Sequence, residues 1–394
     1  MSAARVRWIA AVALAAGGCA APVVRPAAPP PLGADSVAVR DVAPGVVHRR
    51  LVVNGTPWIV HVVQVDLRDR RLALRAEHAR GRLLGLERTS AIARRVAGDS
   101  LDVVAAINAD FFTRTGETVN NQVVEGRLVT GVGRAAYGAR VVRSHFGVTR
   151  DGRPLIERFT LHAALHRAAG DSVTLAGINV PPVAHALVLR TWPAPDTLPT
   201  DSVGDVRALP LQAVDGDTVR WVALGTPLAA GAARLPRGGA LLVARGRATP
   251  ALERIAAGDT MRVTRALVPS RGPLRSVVGG WPRLLAAGVV VGDTASEGAA
   301  RGFVEARHPR TAIGVSRDST TLYLVVVDGR QPRSAGMTIA EIATTMRALG
   351  AWDAINLDGG GSTTLVLRDS VVNSPSDAAG ERAVGNALLL VRRR

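Results

Sequence analysis

A chain of 394 residues, of which 47% are hydrophobic and 21% charged, has the composition of a globular protein and can bury a substantial core. Its 49 basic residues are all arginine and give a net charge of +17, but they are scattered along the sequence, and only 3% of residues are aromatic. Without clustered basic residues, stacking aromatics or a DNA-binding motif, the sequence argues against a nucleic-acid partner. A single cysteine excludes an intrachain disulfide, so stability depends on the core.

The N-terminus has the order of segments found in a secretory signal. Arg5 and Arg7 precede an apolar run over 8–16, and Cys19 follows small residues. The run is too short to span a membrane as a mature helix, and its end resembles a bacterial lipobox in which the thiol of Cys19 receives a lipid. Residues 1–19 are therefore predicted to be a lipoprotein-type signal. This implies export, as a membrane-anchored lipoprotein of the cell envelope (periplasmic or outer face) or otherwise as a secreted protein.

An Ala- and Pro-rich stretch separates this signal from the folded part. Residues 20–45 include three consecutive prolines and are predicted to form a tether. Residues 46–394 are assigned to one domain. Within it, the stretch at about 150–270 consists of short apolar runs punctuated by Gly, Pro and Asp, which predicts a β-rich region without an obvious motif.

The first half of the domain contains four predicted elements, namely strands over 58–67, 71–77 and 103–107 and a helix over 89–97. The third of these strands ends at a polar sequence that contains Asn108 and Asp110. If this strand joins the main sheet, it delivers both side chains to the edge described next.

A strand, a helix and a second strand are predicted in the C-terminal part. Apolar residues fill 322–327, a capping box starts the helix, and a short apolar strand follows over 354–357. Two strands joined by a helix normally run parallel, so the loops that follow them emerge at one edge of the sheet. Asp328 and Asp358 directly follow these strands and should therefore lie near each other.

These elements indicate an α+β fold with a mixed central β-sheet flanked by helices, in which the parallel strand-helix-strand unit lies near the C-terminus. In open α/β sheets, ligands bind outside the carboxyl ends of the strands. Two carboxylates with Arg330 beside them make that edge the predicted reaction centre.

Three consecutive glycines follow Asp358. Glycine is costly to order, so Gly359, Gly360 and Gly361 indicate positive φ angles or a close approach of the backbone to a ligand. A tight turn between two strands of a hairpin is the alternative. The carboxylate before the glycines and Ser362 after them favour a ligand site.

Five sequence blocks follow one another near the C-terminus, namely His308–Gly314, Val325–Arg330, Ser334–Thr338, Asn356–Thr364 and 373–386. Together they closely resemble the phosphodiester glycosidase family, which has lysosomal and bacterial envelope members. The resemblance is strong over about 275–394, weaker over 107–128 and slight over most of 150–270.

The resemblance implies hydrolysis of the C1–O bond of a sugar-1-phosphodiester, with release of free sugar and a phosphomonoester. A phosphomonoester leaves as an anion and needs a general acid less than an alcohol does. Asp358 first and Asp328 second are the expected catalytic carboxylates, which would stabilise an oxocarbenium-like centre or activate water. Guanidinium groups bind phosphate oxygens bidentately, and the matching blocks supply Arg310, Arg330 and Arg382.

Other residues are also expected to contact the substrate, namely Gly359, Gly360, Gly361, Ser362, Asn108, Asp110, Asn373, Asp377 and Glu381. No cluster has the spacing of zinc ligands and no cofactor is implied, although grouped aspartates would suit Ca²⁺ or Mg²⁺. The expected partners are a phosphodiester-linked carbohydrate and, through the lipid anchor, a membrane. Two other functions stay open: a non-catalytic glycan-binding envelope protein, and a phosphodiesterase that cuts the P–O bond.

Overall fold

The computed structural model describes residues 31–98, 100–137, 141–168, 170–198, 205–214 and 217–394. The predicted signal over 1–19, with Cys19, lies outside these residues, as does the predicted tether up to residue 30. A strand at Ser36–Ala43 (β1) lies within the stretch assigned to the tether, so regular structure begins before residue 46. None of the helices in the described ranges is long and apolar enough to cross a membrane.

The described part of the chain consists mainly of strands. Before residue 150 the elements are β1, β2 (Val46–Val53), β3 (Trp58–Asp66), β4 (Leu72–His78), β5 (Glu87–Arg88), α1 (Thr89–Val96), β6 (Leu101–Asn108), β7 (Gln122–Val124), β8 (Arg127–Val132), α2 (Arg134–Tyr137) and β9 (His145–Thr149). The middle of the chain contains β10 (Pro154–Glu157), β11 (Thr160–Arg167), β12 (Ser172–Ile178), β13 (Leu187–Thr191), β14 (Val206–Val214), β15 (Asp217–Ala223), β16 (Leu228–Ala229), β17 (Gly239–Arg245), α3 (Thr249–Glu253) and β18 (Thr260–Val268). The last part contains β19 (Leu274–Gly279), β20 (Arg283–Ala286), β21 (Val289–Val290), α4 (Arg301–Glu305), β22 (Arg310–Val315), β23 (Thr321–Val327), α5 (Ile339–Ala348), β24 (Asp353–Asn356), β25 (Leu365–Leu367), β26 (Ser370–Val371), β27 (Ala383–Val384) and β28 (Asn386–Arg393).

The predicted α+β fold with one central sheet flanked by helices is wrong. Strands make up 48% of the structure and helices only 13%, so helices cannot cover both faces of every sheet. Instead, an eight-stranded sheet in the order β1-β2-β3-β23-β22-β24-β20-β21 packs on a five-stranded sheet in the order β26-β25-β6-β28-β4. The main core is therefore sheet on sheet.

Strand β23 shows why its sequence was misleading. Leu324 and Val326 face the second sheet and pack in the same core as Ile107 of β6, whereas Val325 and Val327 belong to the cluster that α5 covers. Both faces of the strand are buried, as its continuous apolar run predicts. The run does not indicate that one of the covering layers is another sheet.

The strand-helix-strand segment forms with one strand inserted. Strands β23 and β24 each pair antiparallel with β22, which lies between them, so they point in the same direction without touching. Their carboxyl ends reach the same edge of the sheet. The capping box predicted at the start of α5 is present, with reciprocal bonds between Thr338 and Glu341.

The stretch at 150–270 is β-rich, as predicted, and seven of its strands form a closed barrel. The order is β12-β11-β18-β15-β14-β17-β13, and β13 closes the ring by pairing with β12. Its interior is filled by side chains, including Leu165, Leu209, Trp221, Leu242 and Met261. A second group of strands, among them β7, β9 and β19, pairs with the barrel through β8, and side chains of β9 and β19 pack in the core between the stacked sheets.

Candidate active site

The site is built where three strands from the two stacked sheets end. Strand β6 ends at Asn108, β23 is followed by Asp328, and β24 leads through Leu357 to Asp358. The amide of Asn108 donates a 2.6 Å hydrogen bond to the carbonyl of Asp358 and accepts one of 2.8 Å from the hydroxyl of Thr311 on β22. Strand β6 does not join the sheet of β23 and β24, as the expectation required, but Asn108 still reaches this edge from the second sheet.

The carboxyl group of Asp358 is held by its own loop. The backbone N–H of Gly359 donates a 2.9 Å hydrogen bond to Oδ1, and the hydroxyl of Ser362 also bonds to the carboxylate. Burial raises the pKa of Asp358 from 3.8 to about 6, against the opposing effects of Ser362, the Gly359 N–H and the charge of Arg382. A carboxyl group with this pKa exchanges a proton easily near neutral pH.

The three glycines are needed for close approach. A Cβ on Gly359 would lie 2.7 Å from the carbonyl oxygen of Pro309, which is backbone and cannot move aside. Gly360 has φ of +60°, and a Cβ there would lie 3.1 Å from Nη2 of Arg330. A Cβ on Gly361 would overlap the guanidinium of Arg382. The loop contains a 3-10 turn, but it joins β24 to β25, which lie in different sheets, so it is not the turn of a hairpin. This turn lets two arginines pack against the backbone.

Of the three predicted phosphate-binding arginines, Arg330 and Arg382 flank this loop. Arg330 is exposed, lies 3.3 Å from Nδ1 of His308, and forms no ion pair with any carboxylate in the described ranges. Arg382 donates to both oxygens of Asp377, over 2.7 and 2.9 Å. Burial and the neighbouring arginines lower the pKa of His308, which favours its neutral form and leaves the local charge to the guanidinium groups.

The third arginine, Arg310, is fully buried. Its Nε donates to the carbonyl of Met337 over 2.8 Å, and Nη2 donates to the carbonyls of Phe303 and Ala306 over 2.8 and 2.9 Å. Burial lowers its pKa to about 10. These bonds tie β22 to the segment before it and to the start of α5, so the structure gives Arg310 a position beneath the site.

Asp328 is also enclosed, with 2% of its surface exposed. Its carboxylate accepts hydrogen bonds from the backbone N–H of Ser374 at 2.9 Å and the amide of Asn373 at 3.3 Å, and lies 3.6 Å from Nε2 of His61. Asn373 in turn accepts from the N–H of Leu365 over 2.7 Å. Asp328 and Asn373 therefore hold the segment that follows the β25–β26 hairpin against the edge of the sheet.

Asp110 and Glu381 bind other parts of the protein. Asp110 is buried, accepts a 2.6 Å hydrogen bond from the amide of Asn120, and has a pKa raised to about 7 by burial. Glu381 accepts hydrogen bonds from the backbone N–H and the hydroxyl of Ser90, over 2.8 and 2.5 Å, and so fixes the first turn of α1. Both residues are close in sequence to residues of the site, and their hydrogen bonds stabilise the structure around it.

Two residues beside the site were given no role from sequence. The guanidinium carbon of Arg143 lies 3.7 Å from the ring centroid of Trp281, and the ring of Phe111 packs on the same side chain at a tilt of 33°, with the centroids 3.6 Å apart. The carbonyl of Trp281 accepts from the amide of Asn356, two residues before Asp358, over 2.8 Å. Because only 3% of the residues are aromatic, Trp281 could have been selected from the sequence as a candidate binding residue. Nothing in the sequence singled out Arg143.

The described residues contain no group of three or more His, Cys, Asp or Glu side chains that would hold a metal ion. The suggestion that grouped aspartates would suit Ca²⁺ or Mg²⁺ finds no cluster in this part of the chain. Asp328, Asp358 and Asp377 are instead bound by N–H, amide, hydroxyl and guanidinium donors.

Comparison with known proteins identifies relatives of the C-terminal part. A model of the family described as phosphodiester glycosidase matches residues 214–391. N-acetylglucosamine-1-phosphodiester alpha-N-acetylglucosaminidase of Mus musculus is 39% identical over 85 residues, which cover 22% of this chain and 16% of that protein. An uncharacterized SPbeta prophage-derived protein of Bacillus subtilis is 39% identical over 84 residues, which cover 21% of this chain and 13% of the relative. The chain thus spans only a small fraction of the length of these relatives.

Two crystal structures share the fold over most of the chain. A hypothetical protein from Synechocystis has a TM-score of 0.73 at 24% identity, covering 91% of this chain and 64% of that one. A candidate exported protein from Burkholderia pseudomallei has a TM-score of 0.69 at 28% identity, covering 84% of this chain and 74% of that one. The family match begins in β14, well before the blocks at 275–394, so it includes part of the barrel. Residues 214–391 of this chain are therefore similar to the phosphodiester glycosidase family.

Proposed function

We propose that the protein is a hydrolase that cleaves the C1–O bond of a sugar-1-phosphodiester in an envelope or extracellular glycan. The observation that carries this proposal is the position of Asp358, whose loop is flanked by Arg330 on one side and Arg382 on the other. A carboxylate for the sugar carbon and guanidinium groups for the phosphate are the two requirements of this reaction.

The chemistry follows from the charges. Arg330, which is exposed and forms no ion pair in the described ranges, would bind the phosphate oxygens and stabilise the negative charge that develops as the C1–O bond breaks. Asp358 is largely ionised above pH 6 and would stabilise positive charge at C1 or activate the attacking water. Water supplies the new hydroxyl at C1, and its proton is lost to solvent or to the departing phosphomonoester.

The other expected site residues support these two. Asn108 holds the carbonyl of Asp358, and Asp377 orients Arg382. Asp328, the second catalytic candidate, is proposed to act by positioning, because its carboxylate is occupied by Ser374 and Asn373.

We also propose that the protein acts outside the cytoplasm, anchored through Cys19. The signal-like sequence over 1–19 and the likeness to a candidate exported protein support export. Export would bring the site to phosphodiester-linked glycans of the envelope. Palmitate labelling of the wild type and a Cys19→Ser variant would test the lipid anchor.

The test of the activity is release of free sugar from a chromogenic N-acetylglucosamine-1-phosphodiester. We expect turnover by the wild type, loss of at least about 100-fold in Asp358→Asn, and little change in Asp369→Asn, which removes an exposed carboxylate in the turn of the β25–β26 hairpin. Binding without turnover across a panel of sugars would instead identify a glycan-binding protein.

A further inference from the structure

A basic cleft lies at the opposite end of the stacked sheets from Asp358. It has a volume of about 710 Å³ and is lined by residues from five separate parts of the chain. Eight of its nineteen lining residues are arginine, whereas the average of the chain, 49 in 394, would supply two or three. Arginines that are scattered in the sequence are thus gathered by the fold.

Most of this positive charge is not neutralised locally. Within the described residues, Arg70, Arg150, Arg153, Arg317 and Arg393 form no ion pair with a carboxylate, and all five are exposed. The cleft therefore presents guanidinium groups that are free to bind a ligand anion.

The two acidic residues that line the cleft are occupied by other donors. Asp318 accepts hydrogen bonds from the hydroxyls of Ser316 and Thr320 over 2.6 and 2.9 Å, and Asp151 accepts one from the hydroxyl of Thr149. Arg317 stacks on Trp352 at 4.8 Å, which holds its guanidinium in place. The cleft therefore keeps a large positive excess.

The cleft is too far from Asp358 to be part of the same small-molecule site. Strand β23 begins at Thr321, next to the cleft, and ends beside Asp328 at the candidate active site. Seven residues at about 3.3 Å each separate the two ends by roughly 23 Å. Strand β28 also runs between the two places, since it begins at Asn386 near the candidate active site and ends at Arg393 in the cleft. Only an extended ligand would reach both.

We propose that this cleft binds the phosphate groups of a phosphodiester-linked polysaccharide and holds the polymer at a distance from the site of cleavage. The proposal rests on the proposed function for the class of polymer. Guanidinium forks recognise phosphate oxygens, and several spaced arginines suit a chain of repeated anions better than a single one.

The test measures binding to the full-length protein from an exporting host. The probes are a phosphomannan and the same mannan without phosphate, each titrated by fluorescence anisotropy at low and at physiological salt. The triple variant Arg70→Gln, Arg153→Gln, Arg317→Gln is compared with a charge-matched variant at exposed positions outside the cleft, Arg94→Gln, Arg254→Gln, Arg347→Gln. We expect affinity for phosphomannan to fall about 10-fold in the cleft variant and less than about 2-fold in the control.

Several results would overturn the proposal. Equal loss in both variants would show that only net charge matters, and equal binding of the dephosphorylated mannan would show that phosphate does not. Binding to anionic phosphatidylglycerol vesicles but not to phosphomannan would identify a membrane-facing surface instead. Because binding is measured without turnover, a wild type that binds phosphomannan through the cleft but releases no free sugar across the panel of phosphodiester substrates would refute the proposed activity and leave the cleft proposal standing.

Discussion

Replacing the proposed catalytic carboxylate should make the protein more stable at neutral pH. Burial raises the pKa of Asp358 from 3.8 to about 6, which means that its charged form is less favourable in the folded protein than in the unfolded chain. This difference corresponds to about 3 kcal/mol at most. Screening by solvent on the partly exposed side of the residue lowers the expected value to about 2 kcal/mol. Asp358→Asn removes this cost.

The sign and the pH window follow from the raised pKa. Below pH 3.8 the carboxyl is protonated in both states, so burial carries no charge-related cost. Between pH 3.8 and 6 the unfolded chain releases the proton while the folded protein retains it, and stability falls as pH rises. Above pH 6 the cost is complete. The advantage of the asparagine variant should therefore appear between these values and stay constant above them.

Urea denaturation at pH 4 and pH 8 measures this effect. The asparagine side-chain oxygen can still accept the N–H of Gly359, so the loop should keep its structure. The free energy of unfolding of Asp358→Asn, relative to that of the wild type, should increase by about 2 kcal/mol between pH 4 and pH 8. The same difference for Asp369→Asn should not change. A difference between wild type and Asp358→Asn that is equal at both pH values, or larger at pH 4, would refute the argument that this carboxyl is buried at a cost.

Three predictions concern activity. Because Asp358 has a pKa of about 6 and acts as a carboxylate, kcat/KM should fall tenfold per pH unit below about 6; a flat acid side would contradict this. Gly360→Ala should lower kcat/KM about 10-fold, because the added methyl group displaces Arg330. Gly380 also has a positive φ but no neighbour within 4 Å, so Gly380→Ala should leave activity unchanged. Equal losses in the two variants would indicate that backbone strain alone causes the effect. Arg330→Gln should raise KM about 10- to 100-fold, and Arg333→Gln should not; an unchanged KM in Arg330→Gln would exclude that arginine from phosphate binding.

The sequence predicted the strands and the helix that lead to Asp358. Apolar runs located β23, α5 and β24, and the connection through a helix correctly indicated that Asp328 and Asp358 follow strands that point the same way. The three glycines indicated positive φ angles or a close approach to a ligand; in the structure Gly360 has a positive φ, and the groups close to the glycines are the carbonyl of Pro309 and the guanidinium groups of Arg330 and Arg382. These features are local or depend on a single connection between elements, and for this reason they can be predicted from the sequence.

Other features depend on distant parts of the chain. The sequence around Arg310 does not show that three backbone carbonyls surround its guanidinium, and nothing near Glu381 points to Ser90 as its partner. The α+β prediction failed for the same reason, since a buried strand has the same sequence pattern under a helix as under a second sheet. The gathering of arginines in the cleft is also produced only by the fold.

The most direct test of the proposed reaction is hydrolysis in water labelled with oxygen-18. Mass spectrometry of the products reports which bond the water attacks. Cleavage of the C1–O bond at Asp358 predicts that the label enters the free sugar and that the phosphomonoester stays unlabelled. Label in the phosphomonoester would contradict the account and identify a phosphodiesterase that cuts the P–O bond.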